Sequence, residues 1–274
     1  HLAFVVSSSN TKTVELFVNG ESQGFPGTFT SWPKLYWKYI GRGNSNTIYG
    51  EIDELRIWDD NRTQAEIKAN MFIELEGNEA NLIAYYKMSD GSGTTLTDNA
   101  SAGNYDGTFT NMNDDDWVIS YAPIANLNSS YITDIEGLWS EIGTNASQPS
   151  NGFAMQVASS LSEENFVVFG NNNSSSTSTS NLPVGVAVRS ERIWHIDETG
   201  TVDTNVIFDI SDVTGNNATI GVASNYKLLY RSGTSGDFSI AATANSVSGD
   251  NITFSTVNLN DGYYCLGAIS NGNI

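Results

Sequence analysis

The chain has little charge, and what it has is lopsided. Charged residues make up 16% of its 274 residues, and 31 acidic against 12 basic side chains give a formal net charge of −19. A phosphate backbone needs a positive surface, so this balance argues against nucleic acid as a partner. The chain has one cysteine, Cys265, so it can form no disulfide within itself. In "DGYYCLGAI" that cysteine reads as a small buried hydrophobe with no base beside it. The two histidines, His1 and His195, lie too far apart in sequence to form a metal pair by spacing. His195, in "RIWHIDE", reads as a structural strand residue. No apolar run is long enough for a membrane-spanning helix, and no signal peptide is visible. The first residues enter a strand without preamble, so the sequence is expected to be a piece of a longer chain whose export signals lie upstream. No G-x-S-x-G elbow, Ser-His-Asp signature or phosphate loop is present.

Asn, Ser, Thr and Gly fill the polar positions, and these residues favour turns and short strands. "HLAFVVS" and "TVELFVNG" alternate in polarity around "SSSNTK" and predict a hairpin. Val14, Leu16 and Val18 share one face, and Asn19-Gly20 is a tight-turn dipeptide. In "YGEIDELRIWDD" an odd step of three separates Ile52 from Leu55, so a bulge near Asp53-Glu54 is needed to restore phase. Thr63 and Glu66 form a capping box for a short helix whose apolar side carries Ile67 and Met71.

A charge run, Asp114–Asp116, and Pro123 mark a boundary between domains spanning 1–122 and 123–274. Beyond it short strands recur between turn-rich segments, which predicts a β-sandwich. The low-complexity stretch 171–181 reads as a mobile loop, and Asp209, Asp212 and Asp237 as turn residues. The fold class expected is all-β: a partial concanavalin A-like jelly roll followed by an Ig-like sandwich.

The segments "HLAFVVSSSNTKTVELFVNGESQG" and "YIGRGNSNTIYGEIDELRIWDDNRTQAEI" resemble the C-terminal half of a laminin-G-like, pentraxin-related jelly roll over residues 1–72. The resemblance implies completion by upstream residues or by another chain. Residues 135–270, through "SERIWHIDETGTVDTNVIFDIS" and "NITFSTVNLNDGYYCLGAIS", resemble a β-sandwich module of long adhesins secreted by gliding bacteria. That resemblance implies an extracellular or cell-surface location, reached by a type IX route.

Glu51 and Asp53 begin the carboxylate pattern of jelly-roll glycosidases of the laminarinase type, while Glu54, next to Asp53, points to the opposite face of a regular strand. The acid that would complete the pattern is replaced by Leu55 and Arg56, so no catalysis is expected. Laminin-G-like folds often hold calcium, and Asp98, Asn104 and Asp106 in "TDNASAGNYDG" are the candidate oxygen ligands for Ca2+. Trp32, Tyr36 and Trp37 are the candidate ligand-binding aromatics, able to stack on sugar rings or on a protein partner. The expected function is a non-enzymatic section of a large bacterial surface adhesin, acting in adhesion and as a spacer. Its partners would be cell-surface glycans or proteins and neighbouring modules of the same long chain. The alternatives are a carbohydrate-binding module or a subunit of a homo-oligomeric surface fibre.

Overall fold

The computed structural model describes residues 1–7, 12–25, 27–29, 39–42, 47–143, 147–215, 220–269 and 274. The chain divides into two compact units, His1–Ala122 and Pro123–Ile274. The fold is all-β, with two short α-helices among the described residues.

In unit 1 the expected hairpin is present. Strands β1 (Leu2–Val6) and β2 (Lys12–Val18) pair antiparallel, with Leu2 opposite Val18 and Phe4 opposite Leu16. The turn into β3 (Glu21–Ser22) uses left-handed backbone at Asn19 (φ 49°) and Gly20 (φ 75°). Two successive positive φ values suit the right-handed twist of a tight hairpin, which is why Asn-Gly occupies it. On its other half β2 pairs with β4 (Gly27–Phe29). The buried residue of β2 is Phe17, on the face opposite Val14, Leu16 and Val18.

Strand β5 (Leu55–Trp58) opens just after Glu54, which has left-handed backbone (φ 53°), so the bulge expected near Asp53-Glu54 would fall before the strand begins. The break in ladder register falls elsewhere, between Ile57 and Trp58, against the partner strand β6 (Leu82–Tyr86). Helix α1 (Gln64–Asn70) starts at Thr63 with both capping-box bonds in place, and buries Ile67, with Met71 buried at its C-cap. A further pair, β7 (Thr95–Leu96) and β8 (Gly107–Thr108), encloses the loop that carries the candidate calcium ligands.

Unit 2 is a two-sheet sandwich. Its strands are β9 (Thr133–Leu138), β10 (Ser147–Ser150), β11 (Phe153–Val157), β12 (Phe166–Asn171), β13 (Thr177–Ser178), β14 (Val188–Ser190) and β15 (Trp194–Thr199). After these come β16 (Asp203–Asp209), β17 (Tyr226–Arg231), β18 (Ser239–Thr243), β19 (Ser246–Ser248), β20 (Asn251–Asn258) and β21 (Gly262–Ala268). One sheet runs β10-β11-β16-β20-β19. The other runs β13-β14-β21-β15-β12-β9, with β17 on the far side of β21 and β18 beyond it. Period-two alternation aims Phe153, Met155, Val206, Phe208 and Phe254 from the first sheet at Val167, Phe169, Trp194, Ile196 and Leu228 from the second. Trp194 is fully buried, stacked on Phe153 at 4.9 Å and edge-on to Phe208 at 5.6 Å. Its indole N–H donates to the Ser150 carbonyl at 3.0 Å, so the largest core residue leaves no orphan donor.

The stretch 171–181 is not simply a loop. Asn171 ends β12 fully buried, and Thr177–Ser178 pairs with β14. A short helix not expected from the sequence, α2 (Ile210–Thr214), follows β16: Asp209 is its N-cap, with Oδ1 accepting from the Asp212 N–H at 3.1 Å. A five-residue helix is too short to show a period, and its Asp cap reads equally as a turn.

Candidate functional site

The carboxylates of "GEIDELRIW" take separate roles. Glu51 is exposed. Asp53 accepts from the Glu54 N–H and from the Ser120 hydroxyl. Glu54 turns inward, where its Oε2 accepts from Arg56 at 2.7 Å and from the Tyr85 hydroxyl at 2.5 Å. The Arg56 guanidinium also donates to the carbonyls of Asn70 and Ile73. Tyr85 has no exposed surface, and its oxygen accepts from the Leu75 N–H at 3.2 Å. Burial first, and the bond to Glu54 second, push its phenol well above the usual range. Glu54, Arg56 and Tyr85 therefore form a buried polar knot that ties β5 to β6 and to the chain leaving α1. Arg56 takes its place in this knot at the position where the glycosidase pattern has an acid.

Asp98, Asn104 and Asp106 do come together. Asp98 Oδ1 accepts from the Tyr85 and Ala100 N–H groups at 2.9 and 3.0 Å, and Oδ2 from the Tyr105 N–H at 3.0 Å. Asp106 Oδ1 accepts from the Asp98 N–H at 2.9 Å. With its amide nitrogen turned to that carboxylate, Asn104 donates to both Asp106 oxygens, at 3.1 and 3.0 Å. Three amide donors on one carboxylate organise the turn, as side chains of this type do in Asx motifs. Among the described residues no group of three or more His, Cys, Asp or Glu is arranged to hold a metal ion.

Trp32, Tyr36 and Trp37 lie outside the described residues. The aromatics and aliphatics that the structure does place at the surface of unit 1 are others. Tyr49 is fully exposed, and Tyr39 lies 5.3 Å from the Arg42 guanidinium. On the hairpin, Leu2 and Phe4 are 64% and 63% exposed. Register puts Leu2, Phe4 and Val6 on the same sheet face as Val18, Leu16 and Val14. Six apolar side chains thus share one face, on which Leu2 and Phe4 are exposed and Val6, Val14, Leu16 and Val18 are partly buried. The sequence showed this face as alternation, but alternation alone does not say which face is covered.

In unit 2, Cys265 is fully buried, and burial pushes its thiol up to about 12, which leaves it inert. His195 is partly buried, with Nδ1 accepting from the Asn128 N–H at 3.1 Å. Among the described residues no helix is long and apolar enough to cross a membrane.

Residues 1–68 match the family model of the concanavalin A-like lectin/glucanases superfamily, over nearly the same stretch that carries the laminin-G-like resemblance. Residues 129–263 match a domain of unknown function (DUF8202). No curated protein and no solved structure matches the chain significantly.

Proposed function

We propose that this chain is a non-enzymatic section of a large extracellular bacterial surface protein, in which unit 1 binds and unit 2 spaces. The observation that carries the reading is the apolar face of the β1–β2 hairpin, where Leu2 and Phe4 are exposed beside four partly buried aliphatic side chains. An exposed apolar patch on an acidic, polar chain marks a place where another surface is buried. The match of this segment to a lectin-type superfamily supports a binding role, and the acidic composition turns that role toward glycans and proteins. Unit 2 suits a spacer, with a closed two-sheet core and its one thiol buried. Export by a type IX route and repetition of similar modules along the full-length chain belong to the same reading.

Beads coated with the protein test it on glycan arrays and on cell surfaces. The wild type is expected to be retained, and Phe4→Ser to reduce retention. Retention no better than that of albumin-coated beads on every surface would refute the binding role. Hydrolysis of β-glucans that disappears in Glu51→Gln would replace it with an enzymatic one.

The second reading is a carbohydrate-binding module. It is favoured by two surface aromatic rings, Tyr39 beside Arg42 and the fully exposed Tyr49. Binding on a glycan array that falls in Trp37→Ala or Tyr49→Ala but not in Phe4→Ser would select it.

A further inference from the structure

Unit 2 begins with a segment that lies as a strap over its own larger sheet, on the face turned away from the main core. His195 and Asp197 alternate with the core residues Trp194 and Ile196 along β15, so they project from this outer face. Both hold the strap. The Asn126 N–H donates to Asp197 Oδ2 at 2.5 Å, and the Asn128 N–H to His195 Nδ1 at 3.1 Å. Residues Ser129–Tyr131 then form one 3-10 turn that sets the Tyr131 ring against Tyr263, centroids 4.9 Å apart. His195 stacks on the same Tyr263 at 4.5 Å. The sheet is shaped for this crossing at Gly170, directly opposite His195 in register. A Cβ there would lie 2.5 Å from the Tyr131 carbonyl oxygen and 3.5 Å from Leu127 Cδ1.

We propose that this strap is a pH-sensitive clasp, held by His195 as neutral imidazole and released from the sheet when His195 is protonated. A neutral imidazole offers one nitrogen as acceptor, and here that nitrogen is Nδ1. In the imidazolium both nitrogens are donors, so an N–H would face the Asn128 N–H and the bond is lost. Burial is the main influence on the ring and lowers its pKa, which keeps the clasp shut at neutral pH. The carboxylates of Asp197, on the same strand, and of Asp261, before β21, act the other way and favour the cation. Arg231 lies on the far side of the aromatic group, 5.9 Å from the Tyr263 ring. Tyr131 and Tyr263 present their rings to the imidazole.

Asp197 makes the release cooperative. It accepts from Asn126 while the ring is neutral, and it is drawn to the ring once that is charged, so both anchors weaken together. The closed strap binds the proton less tightly than the open one, so its population falls as pH drops through the histidine range. Release uncovers Tyr263, and each freed residue adds up to about 3.5 Å of reach to the chain entering the sandwich.

Amide hydrogen exchange of the 15N-labelled full chain tests the clasp. From about pH 7.5 to about pH 5, protection at Asn126 and Asn128 should fall about tenfold beyond the change in intrinsic rate, tracking the His195 ring titration. Core amides such as Val167 and Leu266 should stay protected. His195→Gln keeps a carbonyl acceptor without a titrating group, so the strap should stay protected at both pH values. Gly170→Ala should expose it at both. Unchanged strap protection across the His195 titration, or pH-dependent loss that persists in His195→Gln, would overturn the proposal.

Discussion

Arg192 is buried in unit 2 at 8% exposure, and the acceptors its guanidinium reaches are main-chain carbonyls. Nε donates to Ser174 at 2.6 Å, and Nη1 to Asn151 and Asp212 at 2.7 and 2.8 Å. One side chain thus joins the segment after β12, the β10–β11 turn and helix α2. Each bond from a charged donor contributes about 1.5–3 kcal/mol, and water that enters after truncation restores part of the loss. Arg192→Met should therefore destabilise unit 2 by about 3–5 kcal/mol, chiefly by orphaning three carbonyls. For a domain of this size that is a fall in Tm of roughly 10 °C. Arg192→Lys should lose about half as much, since one ammonium has three donors but no rigid fork. Urea unfolding followed by tryptophan fluorescence reads both variants. A methionine variant within about 1 kcal/mol of wild type would refute the staple.

Three further outcomes follow from other sites. Burial, reinforced by Asp261 and Asp203 and opposed by the Val202 N–H, pushes the Glu198 carboxyl up to about 7 from an ordinary 4.5. The folded state then holds this proton more tightly than the unfolded one, so unit 2 loses stability as pH rises from 4.5 to about 7. With solvent screening of this partly exposed group, Glu198→Gln should be about 1 kcal/mol more stable than wild type at high pH and no different near pH 4; equal melts at all pH values would dismiss the effect. Thr256 sits in β20 at φ 50°, in the bulge opposite Asn205, where a β-branched residue is strained. Thr256→Gly should stabilise unit 2 by about 0.5–1 kcal/mol in urea, and a destabilised variant would contradict the strain. If Asp98, Asn104 and Asp106 hold calcium, the ion should raise the melting temperature of unit 1 and Asp106→Asn should abolish the rise; no shift after full chelation removes the site.

Much of the fold is legible in the chain itself. The hairpin, the Asn-Gly turn and the capped helix each depend on residues within a few positions of one another, so local chemistry specifies them. Alternation in "GFAMQVA", "NFVVFGN" and "NVIFDIS" places three strands of unit 2 correctly for the same reason. The strand β10, "SQPS", has no such pattern and owes its state to its pairing with β11. Helix α2 was equally hidden, because five residues cannot display a helical period.

The roles of individual side chains divide along the same line. Sequence alone determined the acid excess, the inert cysteine's apolar setting and the absence of an acid at Leu55 and Arg56, since these are matters of identity and spacing. Tertiary structure decided what Arg56 does instead, because its partners Asn70, Ile73 and Tyr85 are remote in sequence and meet only when β5, β6 and α1 pack. It decided that Phe17 is buried while Val14, Leu16 and Val18 on the other face are only partly so, since alternation gives two faces and packing sets how far each is covered. It also decided that His195 meets Asn128, across 67 residues of chain. Period and spacing are properties of neighbours, whereas burial and hydrogen-bond partnership are set by where distant strands come to rest.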